Sequence, residues 1–364
     1  MTATLPGDAR TRRADKDRIP VAILGATGSV GQRFIQLLEN HPWFRIHELV
    51  ASDRSAGKQY ADAAGWRLDT LIPDEIAGMT VTSLGGQLES KLLFSGLDSS
   101  VAGEAEEEYA KRGCAVISNA KNHRMAADVP LLIPEINADH VASIEQQRRR
   151  FGGKGCIVTN PNCSVMGLAI ALAPIVRKFG VEKVHVTTMQ AISGAGFSGV
   201  ASYAILDNVI PYIGGAEEEK VETEPRKILG SWTGGQFEDA EITISAQVNR
   251  VPTIDGHLMT VSAKLRNHAS IDQVRAALES FSGEPQRLGL PSAPKRPIHY
   301  LTQDDRPQPR LDRDRERGMA VSVGRLRNCP ILDIRFVALV HNTVRGAAGA
   351  AILNAELLEA KGLL

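Results

Sequence analysis

The sequence predicts an α/β protein in two parts: a doubly wound parallel sheet first, then an α+β domain with a mixed sheet. Three observations carry this. Short apolar runs alternate with helix-patterned segments up to about residue 160. A glycine-rich turn joins the first apolar run to the first helix. Beyond Cys163 the strand-like stretches lengthen and alternate apolar with polar residues. A chain of 364 residues exceeds what one hydrophobic core usually serves, which also points to two domains.

The first strand is the apolar run Val21-Ala22-Ile23-Leu24, which feeds into Gly25-Ala26-Thr27-Gly28-Ser29-Val30-Gly31 and then a helical pattern over 32–38. Glycines at 25, 28 and 31 let the backbone turn tightly, approach a pyrophosphate and pack helix on strand. Strand, glycine turn and helix in that order make a dinucleotide site, so the first half reads as Rossmann-like. The second strand is placed at 47–51, about 20 residues past the glycines, where ribose recognition is expected. It ends in Ser52-Asp53-Arg54-Ser55-Ala56-Gly57-Lys58. Asp53 would suit the ribose hydroxyls of NAD, whereas Arg54, Ser55 and Lys58 would suit the 2′-phosphate of NADP. Three donors on one loop favour NADP. Further strands fall at 91–95 and 115–118, around an acidic amphipathic helix over 99–112. In the second half, strands are expected at 183–190, 241–250, 257–265, 319–327 and 332–340, with a helix at 271–282 on one face. Residues 343–364 form a small-residue helix expected to return to the first domain.

Composition removes several function classes. Lys plus Arg equals Asp plus Glu at 42 each, so no overall field draws the protein to nucleic acid or an anionic membrane. No apolar run approaches the ~18 residues that span a bilayer. The four cysteines, Cys114, Cys156, Cys163 and Cys329, lack Cys-x-x-Cys spacing and form neither a zinc knuckle nor a disulfide framework. A cytoplasmic location fits these features. Residues 1–18 are polar and Arg-rich without an apolar stretch and read as a disordered tail, not a secretory signal.

The most informative stretch is Val158-Thr159-Asn160-Pro161-Asn162-Cys163. A strand at 156–159 ends there, and Cys163 opens a helix running to about residue 177. That places a thiol at a helix N-terminus, where free N–H groups and the macrodipole favour the thiolate nucleophile. Gln190 starts a glycine-rich turn that would bring backbone N–H groups to a ligand or serve as an irregular connection. Arg250 and His257 lie on two strands separated by a turn at Pro252 and Gly256. An arginine there suits a carboxylate and a histidine suits acid/base work beside Cys163, but spacing alone does not prefer His257 to His123 or His341. The run 304–317 alternates in charge, carries two prolines and reads as an exposed loop or subunit contact.

At GATGSVGQRF (25–34), SNAKNHRM (118–125), PLLIPEIN (130–137), TNPNCSV (159–165), QAISGAGFSGVASY (190–203), EEEKVETEPRKIL (217–229), RVPTIDGH (250–257) and RPQPRLDRD (306–314), the chain resembles the aspartate-semialdehyde dehydrogenases, in particular their archaeal and fungal branch. The resemblance implies Cys163 as the nucleophile that forms a thioacyl-enzyme and His257 as its acid/base partner. It implies Arg250 for the substrate carboxylate, Glu217 for its amino group, and Lys220, Asn119 and Arg124 for phosphate. Gln190 would orient the acyl group. Gly25, Thr27, Gly28, Ser29, Val30 and Gly31 would cradle the pyrophosphate of NADP, with Arg54 and Ser55 at its 2′-phosphate. The implied reaction is NADPH-dependent reduction of aspartyl phosphate to the semialdehyde, on the route to lysine, threonine and methionine. The implied division is a dinucleotide-binding domain of 19–160 with 343–364, and a catalytic and dimerisation domain of 161–342, assembled as a homodimer or homotetramer. Partners are small molecules, with no nucleic acid, membrane or metal. Two other readings stand beside it: a malonyl-CoA reductase on the same scaffold, which would not need Glu217, and a catalytically silent partner subunit.

Overall fold

The computed structural model describes residues 12–364. The expected tail falls mostly in 1–11, outside the described residues; within 12–18, a single 3₁₀ turn, Asp15–Asp17, leads into the first strand.

Six parallel strands form the first sheet: β1 (Ile19–Leu24), β2 (Phe44–Ala51), β3 (Val81–Ser83), β4 (Leu92–Ser95), β5 (Ala115–Ser118) and β6 (Cys156–Thr159). Their order is β3-β2-β1-β4-β5-β6, so chain direction across the sheet reverses between β1 and β4. Such a switch opens a crevice at the C-terminal strand ends, where ligands of doubly wound sheets bind. The glycine turn sits there. Gly25 has φ +77°, and a Cβ on it would come within 2.7 Å of Gly96 O on the neighbouring strand's exit. A Cβ on Gly31, in helix α1 (Ser29–Leu38), would come within 2.2 Å of Gly25 O, so only glycine lets the helix seat on the turn. Helix α2 (Ser99–Lys111) is capped by Asp98, whose side chain accepts from the Ser100 N–H.

Seven strands form the second sheet: β7 (Val181–Gln190), β8 (Ile210–Pro211), β11 (Thr243–Arg250), β12 (His257–Leu265), β13 (Ile298–Leu301), β14 (Val321–Asn328) and β15 (Ile334–Val340). A small ribbon, β9 (Ser231–Trp232) with β10 (Phe237–Glu238), stands apart from it. The order β13-β14-β15-β12-β7-β11-β8 mixes parallel pairs, β7 with β11 and β13 with β14, with antiparallel ones, as the alternating patterns predicted. Helix α3 (Cys163–Phe179) is buried at every residue from Ser164 to Ile175 and anchors the core beside this sheet. Helices α4 (Glu217–Ile228) and α5 (Ile271–Glu279) pack against α3.

The last helix is not one continuous α-helix. A π turn, Val344–Ala348, precedes α6 (Gly349–Ala360). Ile352, Leu353, Leu357 and Leu358 of α6 share a core with residues of β1, β4 and β5, so the chain's end is built into the first sheet's side. The fully buried Arg345–Glu135 ion pair, with contacts of 3.0 and 2.6 Å, fixes the π turn. The charged run 304–317 is more folded than expected. Asp312 is buried and accepts from Arg306, from Arg315 and from the Gln308 N–H, so part of this segment is an internal ion-pair knot.

Candidate active site

Cys163 is the first residue of α3, half-buried, at the end of the turn leaving β6. The Asn162 side chain caps the helix, accepting from the N–H groups of Ser164 (2.9 Å) and Val165 (3.4 Å). The Asn162 N–H itself donates to Glu224 Oε2 at 2.6 Å. From the other side the π turn abuts the cysteine, and only a glycine at 346 leaves it room.

His257 opens β12, fully buried, with Nε2 at 3.1 Å from the Cys163 sulfur. Its Nδ1 accepts the Ala191 N–H at 3.0 Å. The structure thus chooses among the histidines: His123 faces Gly103 O and Glu106, and His341 lies beside Asp314. Arg250, at the end of β11, donates from Nη1 to Ala191 O at 2.7 Å. The turn carrying Gly194 lies over both groups; a Cβ there would meet Arg250 Nη1 at 2.8 Å and His257 Cε1 at 3.1 Å.

Cys163 faces a cleft of about 330 Å³, lined by Ser29 and Val30 of α1, by Asn119, Arg124, Glu217 and Lys220 among others, and by the Gly194 turn that covers His257 and Arg250. Glu217 accepts from the Asn162 side chain (2.7 Å) and from Lys220 Nζ (3.3 Å). Arg124 donates to Glu224 Oε1 (2.9 Å) and to Asn119 O (2.8 Å). The Asn119 amide is held between Ser95 O and the Asn160 side chain. Gln190 behaves differently from the expectation: it is buried, donates to Thr188 Oγ1 at 3.3 Å, and does not line the cleft. Arg54 is exposed on the loop after β2, and Ser55 turns back through its N–H to Ser52 O.

One sequence expectation is overturned. Helix position alone would lower the Cys163 pKa, but burial raises it and the Glu217 carboxylate raises it further. Arg124, Arg250 and the Ser164 N–H pull the other way without prevailing. Burial also pushes His257 down to about 3, helped by Arg250 and His341. Three residues of the site have no counterpart in the sequence reading: Glu224, the Ala191 peptide, and Lys227. The Lys227 ammonium donates to the carbonyls of Arg124, Ala126 and Val129, each at 2.8 Å, and so fixes the loop bearing Arg124. A signal for Glu224 was available, because it falls on the apolar stripe Val221–Pro225–Ile228 of α4 and not on the solvated face.

A nucleotide-type sheet joined to a mixed-sheet domain, with a cleft that holds a guanidinium and a thiol backed by a buried imidazole, defines the class: a nucleotide-dependent dehydrogenase. Residues 20–144 match the family described as semialdehyde dehydrogenase, NAD binding domain, and residues 172–345 match semialdehyde dehydrogenase, dimerisation domain. The chain belongs to the aspartate-semialdehyde dehydrogenase family. It is 51% identical over 353 residues to the aspartate-semialdehyde dehydrogenase of Schizosaccharomyces pombe, covering 94% of this chain and 99% of that one. Identity to the enzyme of Methanothermobacter thermautotrophicus is 49% over 344 residues, covering 93% and 99%. The crystal structure of the Candida albicans enzyme with NADP superposes with a TM-score of 0.88 at 46% identity, covering 95% of this chain and all of that one.

Proposed function

We propose that the protein reduces L-aspartyl-4-phosphate to L-aspartate 4-semialdehyde and phosphate with NADPH, in lysine, threonine and methionine synthesis. The 3.1 Å approach of the Cys163 sulfur to His257 Nε2, in a cleft that also holds Arg124, Lys220 and Glu217, supports this reading most.

The residues present fit a dinucleotide. Gly28 is the N-cap of α1 and offers no side chain to its first turn, so those N–H groups remain for an anion beside the cleft-lining Ser29 and Val30. Gly25, Thr27, Gly28, Ser29, Val30 and Gly31 hold the pyrophosphate, and Arg54 and Ser55 meet the 2′-phosphate. When bound, the nicotinamide supplies the hydride that reduces the acyl group. The chain does the rest. Cys163 attacks the acyl carbon and expels phosphate, giving a thioester that is reduced more readily than a carboxylate. His257 is the proton-handling partner at the sulfur. Arg250 holds the substrate carboxylate through its nitrogens other than the one bound to Ala191, and Glu217 holds the amino group. Lys220 and Arg124, with Asn119, receive the leaving phosphate. Residues 19–160 with 343–364 act as the dinucleotide-binding domain, and 161–342 as the catalytic and dimerisation domain of a cytoplasmic homodimer or homotetramer.

The test is phosphate-dependent reduction of NADP with L-aspartate semialdehyde as substrate. Cys163→Ala abolishes turnover and leaves NADP affinity nearly unchanged; a variant keeping a tenth of the wild-type rate removes Cys163 as nucleophile. Turnover with malonyl-CoA and none with the semialdehyde selects the reductase reading instead.

A further inference from the structure

The cations that line the cleft are not equally free. Arg124 faces Glu224 at 2.9 Å and Lys220 faces Glu217 at 3.3 Å, so each brings a charge that a carboxylate already balances. The Asn119 side-chain amide is spent on Ser95 O and Asn160. Lys121 also lines the cleft, is exposed, and among the described residues makes no ion pair. Asp98 stands on the same wall. Its carboxyl is held below the usual range first by the N–H and hydroxyl of Ser100, and then by the charge of Lys121. Asp98 is committed as the cap of α2, accepting the Ser100 N–H at 2.9 Å, which leaves the Lys121 ammonium for a ligand.

Sheet order fixes where that ammonium stands. Strands β1, β4, β5 and β6 lie side by side and parallel, so the segments leaving them line up along the cleft. The glycine turn leaves β1, residues 96–99 leave β4, residues 119–121 leave β5, and residues 160–163 leave β6. Lys121 therefore lies between the turn that receives the cofactor pyrophosphate and the thiol that receives the acyl group. Two phosphate-bearing ligands approach each other there, and their like charges repel. The pyrophosphate has the uncapped N–H groups at the start of α1. The phosphate beside Cys163 has only cations that carboxylates already neutralise.

We propose that Lys121 is a further substrate-binding residue, whose ammonium holds the phosphoryl group of the acyl phosphate on the side facing the cofactor. The proposal rests on the acyl-phosphate reading of the cleft. As the S–C bond forms and the C–O bond to phosphate breaks, the electron pair of that bond stays on the phosphate. An ammonium beside it offsets the gained charge without giving up a proton. A compact charge with three donors on a flexible stem suits this task, because it can follow the phosphate from the bound ester to the free anion.

The experiment reads phosphate binding in two ways. In phosphate-dependent reduction of NADP with L-aspartate semialdehyde, Lys121→Met raises the KM for phosphate about tenfold, the size of one hydrogen bond to a charged group. The KM values for NADP and the semialdehyde stay at the wild-type level. Lys121→Arg, which restores the charge, recovers most of the loss. The second reading needs no turnover: inorganic phosphate slows alkylation of Cys163, and half-protection takes about tenfold more phosphate in Lys121→Met than in wild type. Lys121 is exposed, so both variants melt with wild type. Unchanged phosphate affinity in Lys121→Met overturns the proposal. A raised KM for NADP with phosphate unaffected also overturns it, and gives Lys121 to the cofactor pyrophosphate instead. Phosphate that fails to protect even the wild-type thiol removes the site altogether. Protection that depends on Lys121 in an enzyme inactive on the semialdehyde would refute the substrate reading while keeping Lys121 as a phosphate-binding residue.

Discussion

Gly346→Ala should damage the chemistry without unfolding the protein. A Cβ at 346 would lie 2.8 Å from Cys163 Cβ and 3.1 Å from its Cα. Carbon atoms pack comfortably at about 3.5–4.0 Å, so the contact falls short by about 0.7–1.2 Å. Neither neighbour can swing aside as a flexible chain end would. Cys163 is fixed by the Asn162 cap and by the Asn162 N–H bond to Glu224, and the π turn is tied by the Arg345–Glu135 pair. The displacement is therefore shared, and the sulfur moves by about half an ångström relative to His257. A misplacement of about 1 Å can lower a rate about a hundredfold, so kcat should fall about 10- to 100-fold. Overpacking costs about 1–3 kcal/mol, offset by about 1 kcal/mol from replacing a helical glycine, so the melting temperature drops by only a few degrees. The assay pairs steady-state turnover with the rate of Cys163 alkylation and a thermal melt. A variant that turns over within twofold of wild type would show that the turn yields, and that Gly346 does not set the position of the sulfur.

Two more outcomes follow from buried charge. Glu224→Gln leaves the nearly buried Arg124 guanidinium opposite a neutral amide and should cost about 3 kcal/mol in urea unfolding, with kcat falling as the turn before Cys163 loosens; unchanged stability would mean Arg124 finds another partner. Asp312 is held down to about 2 by its bonds from Arg306, the Gln308 N–H and Arg315, which overcome the cost of burial. A depressed folded-state value contributes stability above the unfolded value and loses it as pH falls from about 4 towards 2. Asp312→Asn should therefore lower stability by about 2 kcal/mol at neutral pH and flatten the acid limb of the unfolding curve, which urea titrations across that range would check.

Much of the first domain was legible because buried parallel strands are near-continuous apolar runs, and 21–24, 115–118 and 156–159 stand out as such. Cys163 was legible because Asn-Pro-Asn both ends a strand and caps a helix. What escaped depends on tertiary partners. Segment 217–228 is rich in charge, and although Glu224 falls on the apolar stripe of α4, its partners and those of Lys227, namely Arg124, the Asn162 N–H and three loop carbonyls, lie on distant stretches of chain. The π turn at 344–348 escaped because one extra residue per turn scarcely changes the periodicity where Val344 and Arg345 run into the glycine and alanine of 346–351. The thiol's proton affinity was misjudged because a helix N-terminus acts within one turn, whereas burial and Glu217 act on the sulfur together and outweigh it. The Ala191 contact with His257 involves only main-chain hydrogen, which no residue type announces.

The turn before Cys163 is less a loop than a junction. Asn160, fully buried, donates from Nδ2 to Asn119 Oδ1 and to Ala347 O, both at 2.9 Å, and accepts the Asn354 side chain at 2.6 Å. Its own N–H pairs with Ser118 O on β5 at 2.8 Å. Pro161, lacking an N–H, leaves no donor unpaired in this dry corner. Asn162 then binds Glu224 through its backbone, and Glu217 and the start of α3 through its side chain. Residues from five separated stretches (118–119, 217–224, 347, 354 and α3 itself) thus converge on two asparagines flanking one proline. A thiol mounted on such a junction inherits its rigidity, which a thiol on an ordinary surface turn would lack. That is why the sulfur, the π turn and the carboxylates of α4 should respond as a unit, and why a substitution at any one of them should alter the geometry at the other two.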